Sequence, residues 1–177
     1  MKTENIASLY NRYVDDLYTY ALYLGFEKGI ILDAIHDVFC KFAADEKRLQ
    51  DVSNVKFYLF KSLKNRLNDL YKMQKKHIRL SAIDEQEVPF NIQVNIEEQL
   101  IDKEEQQQIK DQLSEMLDSL TERQREVVYL RYVQEYDYAQ ISELLNISIH
   151  GCRKLLSKAM QNLREKYGAF VFLFLLS

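Results

Sequence analysis

The sequence predicts an all-α protein: two small helical domains joined by an acidic linker, the C-terminal one a helix-turn-helix. Three observations lead there. Only four Gly and one Pro punctuate 177 residues, too few for the turns that a multi-stranded sheet needs. Apolar side chains recur at spacings of three and four through most of the chain, the period of an amphipathic helix. The exception is LSAIDEQEVPFNIQVNIEEQL, a weakly periodic and acidic stretch that holds the only proline. Structureless segments of that length are uncommon inside one domain, so domains are expected at 1–79 and 100–177 with a linker over 80–99.

In the first domain, Leu9, Tyr13, Leu17, Tyr20, Ala21 and Leu24 make one helix, closed by Gly25. A second runs from about Gly29 to Ala44, with Ile31, Ala34, Ile35, Val38, Phe39 and Phe42 on its apolar face and Asp33, His36, Asp37 and Lys41 largely off it. ADEKRLQDVSN then breaks the period. A third begins near Val55 and reaches about Lys76. Leu59, Phe60, Leu63, Leu67 and Leu70 fall on one side of it; Lys61, Lys64, Asn65, Asn68, Lys72 and Lys75 fall on the other. The second set is a basic, amide-bearing stripe. Either it is a solvated face or it binds a polyanion, and the stripe alone leaves both readings open.

Helical periodicity returns from about Ile96 to Leu120. Thr121 with Gln124 three residues on is a capping-box start, and Val127, Val128, Leu130 and Tyr132 supply apolar side chains to the helix it opens. A short helix from about Tyr138 to Leu145 turns Ile141, Leu144 and Leu145 inward. Asn146, Ile147 and Ser148 make the turn, and Ser148 suits the N-cap of the last helix. There Cys152, Leu156, Ala159 and Leu163 line one side, while His150, Arg153, Lys154, Ser157, Lys158 and Gln161 line the other. A short helix, a tight turn and a helix with a basic outer face are the parts of a helix-turn-helix. The same parts also occur in helical proteins that bind no DNA.

The formal net charge of -3 conceals a segregation. From Lys47 to Arg79 there are ten Lys and Arg against two acids; from Leu80 to Glu105 there are eight acids against Lys103 alone. A polyanion responds to the local patch and not to the total. Cys40 and Cys152 show no paired spacing, which points to a reduced, cytoplasmic setting. The N-terminus lacks the apolar core of a secretory signal, and no stretch reaches the roughly 18 apolar residues of a spanning helix. No Gly-rich phosphate loop, HExxH or nucleophile elbow is present, so an enzyme is not expected. His36 and Cys40 stand four apart, but a zinc site needs further ligands and none is suitably spaced, so neither metal nor cofactor is expected.

Three stretches, from two parts of the chain, together resemble one family. LDAIHDVFCKF is similar to region 2.2 of bacterial RNA polymerase sigma-70-type factors, and VSNVKFYLFKSLKNRLNDLYKMQKK to regions 2.3 to 2.4. LTERQREVVYLRYVQEYDYAQISELLNISIHGCRKLLSKAMQNLRE is similar to regions 4.1 and 4.2. The chain resembles the compact extracytoplasmic-function (ECF) class, which lacks domain 3, over most of Leu9 to Glu165. The resemblance implies a specificity subunit whose partners are core RNA polymerase, promoter DNA and an anti-sigma factor or other recruiting protein, without stable membrane insertion.

By that resemblance, Asp33, His36, Asp37 and Phe39 would dock on the polymerase clamp helices. His36 replaces a usual Gln, keeping a hydrogen-bonding edge and adding pH sensitivity. Phe57, Tyr58, Lys61, Lys64, Asn65, Asn68 and Lys72 would hold the melted -10 strand, cations on phosphates and Asn65 on a flipped base. For Phe57, a place in the core remains an equal alternative. Ser148, His150, Arg153, Lys154, Ser157 and Lys158 would read the -35 duplex. Gly151 stands where the family usually has Thr or Ser, and Leu155 where it has Arg or another polar residue. These departures put -35 reading in question. The linker is read equally as an acidic occupant of the polymerase's RNA path or as a solvated tether.

From the residues alone, a DNA-binding regulator without polymerase and a helical adaptor remain alternatives. The apolar end Phe170 to Leu176 is too short to span a bilayer and is expected to pack on the second domain or meet a partner.

Overall fold

The computed structural model describes residues 5–44, 52–78 and 103–168. All regular structure among them is helical, and the chain divides into two compact units, Met1–Pro89 and Phe90–Ser177. The division falls within the expected linker, which lies outside the described residues together with the apolar end Phe170 to Leu176.

The first unit packs three helices. α1 spans Ile6–Tyr23, opened by Asn5, whose side chain accepts from the Ala7 amide at 3.1 Å. It ends where sequence spacing places the stop. Gly25 takes a left-handed φ of 78°, its amide donates to Leu22, and the Phe26 amide donates to Ala21, which satisfies carbonyls that the helix end leaves open. α2 spans Lys28–Ala44 and α3 Val55–Ile78. Asn54 starts α3 by accepting from the Phe57 amide at 2.9 Å.

These helices share one core. Leu17, Tyr20 and Ala21 of α1, Ile31, Ala34 and Ile35 of α2, and Leu59, Phe60, Leu63 and Leu67 of α3 are all at most 1% exposed. Tyr20 stacks on Phe60 with ring centroids 5.2 Å apart. Leu70, on the expected core side, is only half-buried.

The second unit holds α4 (Lys103–Asp118), α5 (Glu122–Tyr132), α6 (Tyr138–Leu145) and α7 (Ile149–Tyr167). Local signals set these ends. Thr121 and Gln124 close a reciprocal capping box at 3.3 and 3.0 Å, and Asp137 with Gln140 makes a second at 2.8 and 3.0 Å. Asn146 ends α6 in the left-handed region at φ 53°, a conformation Asn tolerates better than most residues. Val127, Leu130, Ile141, Cys152 and Ala159 are fully buried where these helices meet. Asn162 of α7 donates to the Ser119 carbonyl at 3.0 Å, fixing α7 to the turn after α4.

Candidate nucleic-acid interface

In the first unit the described residues of the α3 stripe lie outside the core; the side chain of Lys75 is outside the described set. Asn65 and Lys72 are exposed, and Lys61, Lys64 and Asn68 are half-buried. Lys64 lies with Nζ 6.0 Å from the centroid of the Tyr20 ring, so core packing directs its stem. Phe57 and Tyr58 are half-buried, and Tyr58 lies against Phe42 with centroids 5.4 Å apart. Tyr58 thus spends one part of its ring on the core.

Two cations of the region have acidic partners that spacing along one helix does not reveal. Arg66 of α3 donates Nε and Nη2 to Oδ2 of Asp37 on α2 at 2.8 and 2.7 Å. Lys56 pairs with Asp16 of α1 at 3.0 Å.

On α2, Asp33 and His36 are exposed, and Asp37 reaches solvent beside Arg66. Phe39 belongs elsewhere. It is 6% exposed, with its ring edge-on to Tyr10 at 5.0 Å and near Phe42 at 6.4 Å. It is a core residue, because its position at the border of the apolar stripe lets α1 close over it.

In the second unit α7 presents His150, Arg153, Lys154, Ser157 and Lys158 on its exposed side. Ser148 serves the helix itself. Its Oγ accepts from the Gly151 amide at 3.0 Å and caps α7. The same contact bears on the glycine. A Cβ on residue 151 would stand 3.2 Å from Ser148 Oγ, a tight contact that the hydroxyl must shift by a few tenths of an ångström to admit. Leu155 is half-buried, below the row of exposed polar residues.

The residue pattern gave no sign of an aromatic hub that the fold assembles. Tyr138, the first residue of α6, has the guanidinium carbons of Arg131 and Arg153 at 5.1 and 5.3 Å from its ring centroid. Arg131 is further held by donating to the Tyr136 carbonyl at 2.9 Å. One ring therefore ties α5 and α6 to a cation of α7. Beneath it, burial pushes the Cys152 thiol above its ordinary pKa of 9.0, partly offset by Arg131 and Arg153. Tyr138 and Arg153 also line a groove with Tyr132, Leu156, Ser157 and Met160.

Known proteins are similar to this chain. Residues 110–163, from α4 to near the end of α7, match the family described as Sigma-70, region 4. The chain is 26% identical over 162 residues to the ECF RNA polymerase sigma factor SigM of Bacillus subtilis (strain 168), covering 92% of this chain and 94% of that protein. The chain thus carries a segment of the sigma-70 region 4 type and is similar over most of its length to an ECF sigma factor. Among solved structures, it is similar to the sigma factor RpoE in complex with the anti-sigma factor NepR from Bartonella quintana. That likeness has a TM-score of 0.59 and 17% identity over 90% of this chain and 94% of that one. It is also similar to CnrH in complex with the cytosolic domain of CnrY, with a TM-score of 0.50 and 17% identity over 90% and 85%. These similarities point to transcription initiation. Among its described residues no helix is long and apolar enough to cross a membrane.

Proposed function

We propose that this chain is an ECF sigma factor that binds core RNA polymerase in the cytoplasm and directs promoter-specific initiation, reading -35 as duplex and opening -10. The observation that carries the reading is α7: a capped helix whose exposed side gathers His150, Arg153, Lys154, Ser157 and Lys158, within the segment that matches region 4. Such a helix fits the major groove, with contacts concentrated toward its N-terminal half. Arg153, Lys154 and Lys158 serve base edges or phosphates, while Ser148 acts by fixing the helix start.

Opening the -10 element is the finer step. Each base step unstacked costs about 1.4 kcal/mol on average, and stacking on an aromatic ring returns about 1–3 kcal/mol per base. α3 offers such a set: Lys61, Lys64 and Lys72 for the backbone, Asn65 and Asn68 for base edges, and the partly exposed rings of Phe57 and Tyr58. Polymerase docking falls to Asp33, His36 and Asp37 on α2. The sigma factor is regulatory, and nucleotide chemistry belongs to the polymerase.

An anti-sigma factor is the further partner proposed, on the strength of the RpoE likeness, whose structure includes NepR. Run-off transcription with purified core polymerase tests the function. Promoter-dependent product is expected only with this chain present, and no initiation above core alone would overturn the reading.

A further inference from the structure

α2 carries a pair of side chains that polymerase docking uses only in part. His36 and Cys40 lie one helical turn apart, both exposed, with Nε2 and Sγ 3.3 Å from each other. In a tetrahedral zinc site, with Zn–N near 2.0–2.1 Å and Zn–S near 2.3 Å, neighbouring nitrogen and sulfur donors stand about 3.5 Å apart. The pair is therefore close to chelating distance before any metal enters. Small rotations of two exposed side chains admit a cation without disturbing the core, which lies on the opposite side of α2.

The donors select the cation. Imidazole nitrogen and thiolate sulfur suit Zn²⁺ and its neighbours, whereas Mg²⁺ and Ca²⁺ take oxygen ligands. Among the described residues no group of three or more His, Cys, Asp or Glu converges, so one chain supplies two ligands of the four. The Asp37 carboxylate is engaged by Arg66. A second copy, related by a twofold axis, brings an identical pair to the same ion. Two thiolates then balance the dication, leaving no net charge at the junction.

We propose that His36 and Cys40 form a half-site for a thiophilic divalent cation of the Zn²⁺ type, completed by the same pair of a second copy of this chain. Each thiol releases its proton to solvent as its sulfur binds, and no electron is transferred. Bridging covers the α2 face that includes Asp33 and His36. The consequence for polymerase rests on the docking function proposed for that face; the metal site does not.

The test uses the full chain under a phosphine reductant. Titration with Co²⁺ is expected to give thiolate-to-metal absorption and tetrahedral d–d bands that saturate at one ion per two chains. With Zn²⁺, light scattering should show the mass double and return to the monomer on adding chelator. Cys40→Ser and His36→Asn, both on exposed positions, should each abolish the bridged species, while the buried Cys152 remains in every sample as an internal control. Absence of thiolate-to-cobalt absorption overturns the site. Saturation at one ion per chain without a mass change overturns its completion by a second copy, as does a dimer that survives chelator and dissolves with stronger reduction. In a pulldown, Zn²⁺ should release core polymerase from the native chain but not from Cys40→Ser. Full bridging that leaves polymerase bound counts against the docking face and leaves the metal site standing.

Discussion

Ser148 separates capping from DNA contact, and three substitutions resolve the two. Its Oγ accepts from the Gly151 amide at 3.0 Å, the sole cap bond described at the start of α7. Ser148→Ala leaves that amide without its partner and costs about 1 kcal/mol, within the 0.5–2 range for N-cap loss. For a domain of 60–100 residues, the class of the Phe90–Ser177 unit, this lowers Tm by about 4–8 °C. If duplex binding must restore the frayed first turn, the same 1 kcal/mol weakens -35 affinity about fivefold. Ser148→Asn retains a neutral cap acceptor, so both Tm and affinity should stay near those of the native chain. Ser148→Asp also keeps the cap, yet sets a negative charge beside the duplex. Its Tm should hold while its affinity falls. Thermal denaturation and fluorescence anisotropy on a -35 duplex read the two quantities. Ser148→Asn with native Tm but affinity as weak as Ser148→Ala would refute the capping role and return the hydroxyl to the DNA.

Other residues make separate predictions. Asn65→Ala should impair opening at -10, visible as lost permanganate reactivity, with -35 duplex binding intact; unchanged initiation on every promoter tested would remove Asn65 from that role. Lys158→Ala should weaken binding nearly equally across sequences and reduce the salt slope by about 0.9, one phosphate contact, in anisotropy at varied ionic strength. For Cys152, burial raises the folded pKa above 9.0. The neutral thiol is thus favoured in the fold, so its stabilisation is complete below the unfolded pKa and declines as pH rises through the folded one. Denaturant melts should therefore weaken in alkali more for the native chain than for Cys152→Ala, and equal pH dependence would count against a native-state shift at this thiol.

What the sequence disclosed followed from how local each signal is. α6 was legible from Tyr138 to Leu145 because an apolar period and the turn after it mark both ends within ten or so residues. The second capping box, Asp137 with Gln140, is an equally local signal at the start of the same helix. Gly25 marked the end of α1 because a left-handed residue is what the backbone requires there. Contacts between helices were a different matter. Arg66 finds its partner only when α2 packs beside α3 and sets Asp37 at 2.7 Å. Phe39 is on the apolar face by spacing, and the resemblance also assigns it to docking; the ring of Tyr10, from another helix, closes over it and decides for the core. Tyr138 likewise becomes a hub only when α5 and α7 bring Arg131 and Arg153 to its ring.

Within the second unit, the starts of α5, α6 and α7 differ in charge, which bears on how a chain of net charge -3 would present the helix proposed to read DNA. The start of a helix bears roughly half a positive charge, which acids at the cap or in the first turn neutralise. α5 places Glu122 there, and α6 is capped by Asp137. α7 differs: Ser148 is a neutral cap, no acid occupies the first turn, and Arg153 and Lys154 follow directly. The positive end of its dipole therefore adds to its cations instead of being cancelled, as phosphate binding at a helix N-terminus requires. This is also why Ser148→Asp is expected to preserve the helix and weaken the complex. The substitution converts the start of α7 to the electrostatic type of α6, whose capping is equally good and whose field toward a phosphate is not.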